Sequence, residues 1–522
     1  MHSEPEHAIP RSPYQLLLLS FLLSQCDLST YPDWQISELK ELNLSGCSLS
    51  VLPGDVALWS KLASLKKIDL NGNLLKDLPA ALEVLAPSLE IMFLSENLFQ
   101  VVPEVIGRLA RLRLLSLRGN KLRELTTVNL PSNSLEWLIL TNNRIERIDT
   151  NVRDLIRLRK LMLSHNLLDS IPTELAECKA LELVRLASNR IAAPIPSQVA
   201  MLPKLAWISL SGNPIFKTPQ MREKEISEND ITLDRAAVLG KGASGMVFRG
   251  KYNGQDVAVK MFKDQSTGSD GNAIDEVAIN GLVSHPLAVS AIGVLRSEDN
   301  PGTYSGMVMD LLRGTHSLGK VPSFETVTRD AEPALHAKGL TNDQVYGTIW
   351  NVASALKYIH SELGLSHGDI YLHNILQDGD GVARLSDWGG ELEHIKLSHL
   401  TFLTQLCTYN DLCHVFINAA SFVYDRKDVS QALKFQKIEV LAFGRLVQDL
   451  FEWHMQIAVP DSTEPPYRGK DRGRPMGEGP LYDLIQSILQ PDQGDRPTFD
   501  DIKQMLSKMP EFEEAIKTEI VA

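Results

Sequence analysis

A chain of 522 residues with 43% hydrophobic and 22% charged residues is long enough for two or three domains, and its composition is that of an ordinary globular protein. The net charge of −13 argues against a nucleic-acid binder, and no basic run marks a membrane-surface or nucleic-acid patch. That charge is uneven: residues 1–230 hold 26 acidic against 25 basic side chains, and the remainder holds 39 against 27.

Residues 1–17 read as an N-terminal tail. The apolar run LLLLSFLL at 16–23 looks like a secretory leader, but it is short and is preceded by a lone Arg11 beside Glu4 and Glu6. No stretch reaches the roughly eighteen apolar residues of a membrane span. The five cysteines, Cys26, Cys47, Cys178, Cys407 and Cys413, show no metal-ligand spacing and cannot all pair, so a reducing, cytoplasmic setting is expected.

The pattern LxxLxLxxN then recurs. It is clear at 65–73, 89–97, 112–120, 135–143, 158–166, 181–189 and 205–213, and it fits at 18–26 and 39–47 with Cys26 and Cys47 in the Asn slot. The third apolar position falls at 23, 44, 70, 94, 117, 140, 163, 186 and 210, a period of 21 to 26 residues. This is the leucine-rich-repeat signature, and residues 18–216 are expected to form about nine repeats. The pairs Leu52-Pro53, Leu78-Pro79, Val102-Pro103 and Ile171-Pro172 resemble the short intracellular class of these repeats. The non-core strand positions form one column of Ile91, Leu114, Trp137, Lys160, Leu183 and Trp207, beside a second that includes Phe93, Ile139 and Met162. Positions expected to face solvent and yet this apolar need an explanation. Scattered surface apolars or cover by the chain's own second half is one. A stripe for docking a protein partner is the other, with candidate contacts Phe93, Leu114, Trp137, Met162, Leu183 and Trp207 and the two tryptophans as anchors.

Residues 217–230 are polar and charged without apolar periodicity and read as a linker. Gly240, Gly242 and Gly245 follow as GxGxxG, with Leu239 before them and Val247 after. The flanking β-type residues make this the turn of a hairpin, where glycines let backbone approach phosphates closely. Thirteen residues after Val247, VAVK sets Lys260 behind Ala258 on the next strand. Glu276 is the candidate carboxylate partner of Lys260, with Asp275 next to it. MVMDLLRG at 307–314 has the look of a strand and hinge receiving adenine: Met309 at the back, the backbone of Asp310 to Leu312 facing the base. HGDIYLHN at 367–374 places Asp369 and Asn374 five apart, with the apolar Ile375 and Leu376 next, and Asp387 opens DWG eighteen residues after Asp369.

In this order the motifs resemble those of protein kinases over about 231–510, IEVLAFG at 438–444 and RPTF at 496–499 included. With the array, the chain is similar to soluble leucine-rich-repeat protein kinases. The resemblance implies a multidomain fold: an α/β leucine-rich-repeat solenoid (horseshoe), then a two-lobed α+β protein kinase fold, with residues 511–522 as a C-terminal tail. It also implies ATP and Mg²⁺ as cofactors. Asp369 would act as proton acceptor, Lys260 and the glycine loop would hold phosphates, and Asn374 and Asp387 would hold metal. Glu439 stands where the family has Asp, and Arg496 where it has a buried Arg. The acceptor is a protein hydroxyl, Ser/Thr before Tyr on base rates, with the repeats recruiting a partner.

The departures are Gly368 in place of the Arg that clamps a phosphorylated activation loop, Tyr371 in place of Lys, and no A-P-E. They leave a catalytically silent scaffold as the alternative. For residues 390–418 two readings stay open, an artefact of gene modelling such as a retained intron or a genuine long activation loop.

Overall fold

The computed structural model describes residues 39–215, 224–241, 245–262, 266–267, 271–272, 280, 282–297, 304–334, 339–363, 365–386, 429–455, 457–458 and 474–521. The repeat match at 18–26, Gly242, Asp275, Glu276, Asp387 and the 390–418 stretch lie outside the described residues. The chain divides into two compact units, the first ending at Leu181 and the second beginning at Glu182.

In the first unit each LxxLxL match supplies one short strand: β1 (Glu41–Asn43), β2 (Lys67–Asp69), β3 (Ile91–Phe93), β4 (Leu114–Ser116), β5 (Trp137–Ile139) and β6 (Lys160–Met162). They pair in parallel in chain order with no slip, Glu41 against Lys67, Lys67 against Ile91, and so on to Trp137 against Lys160. The leucines that follow the strands, Leu44, Leu70, Leu94, Leu117, Leu140 and Leu163, are all fully buried. The first connection returns through a short α-helix, Val56–Ser60, and the later ones through short 3₁₀ helices, with Pro79, Pro103 and Pro172 immediately before three of them. Proline suits that place because its missing N–H would have found no partner in a first turn.

The repeat asparagines tie each coil to the next. Asn143 donates to the carbonyls of Leu117 (2.9 Å) and Leu140 (3.0 Å) and accepts from the Leu122 amide (3.1 Å). Asn73, Asn97, Asn120 and Asn166 make the corresponding bonds. Backbone carbonyls at the end of each strand and an amide of the following turn are satisfied in this way. Cys47, in the same slot, donates its thiol to the Ser45 carbonyl at 3.4 Å, the weaker bond that a sulfur can make there. The residue before the slot takes a left-handed backbone in every described repeat, with φ between 52° and 68°. It is glycine at 46, 72, 119 and 212 and non-glycine at 96, 142, 165 and 188.

The apolar columns do not face solvent as expected. Phe93, Leu114, Trp137, Met162, Leu183 and Trp207 are all buried. In the first unit the cation of buried Lys160 lies 4.1 Å from the centre of the Trp137 ring, so part of the column is satisfied by its own neighbour.

The second unit opens with the strands of the last two repeats, β7 (Leu183–Arg185) and β8 (Trp207–Ser209), paired in parallel. Its larger sheet has six strands: β9 (Lys224–Ser227), β10 (Ile231–Lys241), β11 (Gly245–Tyr252), β12 (Gln255–Phe262), β13 (Ala291–Arg296) and β14 (Tyr304–Asp310). Their order in the sheet is β9-β13-β14-β12-β11-β10. Four residues of the expected linker therefore form an edge strand. Their single apolar side chain, Ile226, packs into the cluster of Tyr252, Val257, Val259, Leu295 and Val308, too short a run to show periodicity. A small sheet of β15 (His316–Ser317), β16 (Ile375–Gln377) and β17 (Ala383–Leu385) adjoins the helices α1 (Asn342–Tyr358), α2 (Val429–Leu450), α3 (Pro480–Ile488), α4 (Phe499–Leu506) and α5 (Glu513–Val521). Capping boxes start α1 at Thr341 with Gln344 and α4 at Thr498 with Asp501. The expected C-terminal tail is also structured: Phe512 is fully buried, its ring 5.3 Å from that of Tyr346 on α1. Among the described residues no helix is long and apolar enough to cross a membrane.

Two measurements check the repeat packing. Asn143→Ala leaves two carbonyls and one amide without their side-chain partner and is expected to cost about 2–4 kcal/mol in urea unfolding. Burial pushes the Cys178 thiol up to about 12, so iodoacetamide at pH 8 is expected to spare it in the folded protein and to label it once urea unfolds the chain.

Candidate functional site

Gly240 lies near the end of β10, and Gly245 opens β11. Gly240 pairs with Val247 and Lys241 with Met246, which makes the hairpin expected from the flanking residues. A side chain at Gly245 would place its Cβ 2.2 Å from the Met261 carbonyl, so the strand can approach β12 only as glycine. Lys260 stands on β12 opposite Val247 on one side and Met307 on the other and is 5% exposed. Ala258 pairs with Met309, and both are buried, as are Val247 and Leu376. Leu239 is exposed at the edge, Asp310 is exposed, and Leu312 is half-buried at the end of β14.

The segment His367–Asn374 between α1 and β16 is buried throughout. Gly368 has a left-handed backbone (φ 78°), and its N–H donates to the carboxylate of Glu439 on α2. The other oxygen of that carboxylate meets His360 Nε2 at 2.6 Å. Glu439 thus anchors the loop from the place where the sequence pattern expects an Asp. The left-handed backbone also accounts for glycine at 368, where an arginine would be strained.

A second buried carboxylate holds the far end of the loop. Asp330 accepts from the Leu372 amide (2.7 Å) and the His373 amide (3.3 Å) and bonds the His373 ring. Its neighbour Arg329 is tied to α2 through Asp449 at 2.5 Å and the Arg445 carbonyl at 3.2 Å. The 316–334 stretch carries no motif, so sequence reasoning missed Asp330. The only signal was a charged pair, Arg-Asp, in an otherwise turn-like segment.

Asp369 and Asn374, singled out by spacing, are brought together. Asn374 Nδ2 donates to the Asp369 carbonyl (2.9 Å) and to Asp369 Oδ2 (3.1 Å). Asn374 Oδ1 is buried and has no hydrogen-bond donor among the described residues. A carboxamide oxygen held beside a carboxylate is a fitting ligand for a hard divalent cation such as Mg²⁺. The Asn374 carbonyl accepts from Ser386 N–H at 2.7 Å, which fixes the chain just before Asp387.

The remaining oxygen of Asp369 is taken by a residue outside every motif. Arg185, the last residue of β7, sets Nη2 2.6 Å from Asp369 Oδ1, both side chains being buried. The Trp207 indole N–H donates to the Ile370 carbonyl at 3.1 Å, and its ring stacks on Tyr371, 4.7 Å between centres and 2° between planes. Burial, and then the Asp369 charge, push the Tyr371 phenol far above its usual range, so it stays neutral. Arg496 of RPTF donates to the carbonyls of Gln490 (2.7 Å), Lys437 (3.0 Å) and Pro203 (2.9 Å). Burial and the Arg445 charge push it down to about 9, still protonated near neutral pH.

Comparison with known proteins matches two family models to the chain. The protein kinase domain matches residues 233–409, and leucine rich repeats match 38–58, 63–122, 133–191 and 156–215. A probable serine/threonine-protein kinase of Dictyostelium discoideum is 25% identical over 55% of this chain and 19% of its own length. A leaf rust 10 disease-resistance locus receptor-like protein kinase of Arabidopsis thaliana is 28% identical over 45% of this chain and 32% of its own. The tyrosine-protein kinase Abl of Drosophila melanogaster is 27% identical over 58% and 17% respectively. The chain thus spans under a third of the length of these relatives, and it consists of leucine-rich repeats followed by a protein kinase domain.

Proposed function

We propose that the chain is an ATP-dependent protein kinase that phosphorylates protein hydroxyls, Ser/Thr in preference to Tyr, with the repeats serving a protein interaction in cytoplasmic signalling. The observation that carries the reading is the Asp369–Asn374 pair, 3.1 Å apart, with Asn374 Oδ1 left for a cation. In this reading Asp369 accepts the proton of the acceptor hydroxyl. Lys260 and the backbone around Gly240, Gly242 and Gly245 hold the phosphates, with Glu276 orienting Lys260. Asn374 and Asp387 hold the metal, while Ala258, Met309, Leu376 and Val247 line the base and the backbone of Asp310 to Leu312 borders it. ATP with Mg²⁺, when bound, supplies the phosphoryl group and neutralises its charge. What this chain contributes is position: Glu439 and Asp330 clamp the two ends of the loop, so Asp369 and Asn374 need no reorganisation.

The second reading, a nucleotide-binding scaffold without transfer activity, is favoured by one observation, the closure of Asp369 beneath Arg185. Phosphate transfer from labelled ATP to myelin basic protein separates the two. Asp369→Asn is expected to lower the rate about 10²- to 10⁴-fold while an ATP-induced rise in melting temperature persists. Equal background from both proteins with that rise retained would favour the scaffold. Phosphoamino-acid analysis of the product is expected to give phosphoserine and phosphothreonine; phosphotyrosine alone would reassign the acceptor.

A further inference from the structure

Arg185 has no part in phosphoryl transfer as set out above, yet it occupies the group on which transfer would depend. Its guanidinium sits 2.6 Å from Asp369 Oδ1, while Asn374 Nδ2 takes Oδ2 at 3.1 Å, so each carboxylate oxygen already has a donor. A hydroxyl that gives its proton to Asp369 must come within about 2.6–3.2 Å of one of them. Asp369 is 0% exposed.

The same stretch of chain covers the residues beside it. Trp207 bonds the Ile370 carbonyl and stacks flat on Tyr371, one and two residues beyond Asp369. Glu182 bonds Thr328, two residues from the Asp330 that clamps the loop. Further along, Ser197 meets Lys434 at 2.8 Å, and the carbonyls of Ala200 and Pro203 accept from Gln493 at 2.5 Å and Arg496 at 2.9 Å. The contact at Asp369 is a buried, charge-assisted one.

We infer that residues 182–213 form an autoinhibitory cap, in which Arg185 holds the proton-accepting oxygen of Asp369 and Trp207 covers the neighbouring loop. The cap must lift before a protein acceptor can enter. The inference rests on Asp369 being the proton acceptor. It also supplies a form of control that Gly368 leaves open, because an arginine still governs the loop, but from the repeats rather than from position 368.

The test uses the full chain and measures kcat/KM for transfer from ATP to myelin basic protein. Arg185→Gln and, independently, Trp207→Ala are expected to raise it on the order of 5- to 150-fold, the range of an ordinary coupling between sites. Arg185→Lys, which keeps the charge, is expected to stay near wild type. Amide hydrogen exchange should speed up over Ile370–His373 in Arg185→Gln and stay unchanged in α1, which shows that the domain is still folded. If Arg185→Gln and Trp207→Ala are no faster than wild type while Asp369→Asn is slower than all three, the cap is overturned and the kinase reading stands. If neither rises above the Asp369→Asn background, both are overturned.

Discussion

A carboxylate taken out of water must be met by donors, and the His367–Asn374 loop is folded around three that are. Glu439 receives Gly368 N–H and His360, Asp330 receives the amides of Leu372 and His373, and Asp369 lies between them against Asn374 and Arg185. Leaving one such charge without its partner costs about 3–5 kcal/mol, so each carboxylate dictates where a stretch of loop backbone can go. Glu439 acts from the middle of α2 and Asp330 from the 316–334 stretch, so the site depends on elements far apart in sequence. Arg329, joined to Asp449 and the Arg445 carbonyl on that same helix, ties the two anchors into one framework.

The repeats solve the corresponding problem for uncharged groups. Their strands are three residues long, too short to satisfy the backbone beyond them, and the asparagine that follows takes over that task in each coil. Since a carboxamide carries both donor and acceptor, one side chain serves two successive turns, whereas the thiol of Cys47 makes a longer bond of 3.4 Å to the Ser45 carbonyl. The regularity that follows brings equivalent strand positions into register. That register puts Arg185 and Trp207 at defined points of β7 and β8, each able to reach the loop.

Gly368 connects the two themes. A left-handed backbone is needed there to aim its N–H at Glu439, and glycine takes it without strain. That choice excludes the arginine that the resemblance to protein kinases would place there. Arg496 takes three carbonyls, one of them from the repeat segment at Pro203.

Periodicity and spacing were enough to identify the repeats, the glycine hairpin, the strand bearing Lys260 and the Asp369–Asn374 pair, because each depends on local geometry with a fixed residue interval. Glu439 was also readable, though only from its place in IEVLAFG. The sequence could not indicate that Ile226 would join the sheet core or that Phe512 would dock on α1, since a single apolar side chain carries no period. Nor could it identify Asp330, whose partners lie more than forty residues away. The tryptophan column was legible as unusual, and cover by the chain's own second half was one of two readings, but the particular residues that meet Trp207 were not legible. Opposite charges and stacked rings brought together across 184 and 164 residues, Arg185 with Asp369 and Trp207 with Tyr371, leave no trace in a linear pattern and are decided by tertiary packing alone.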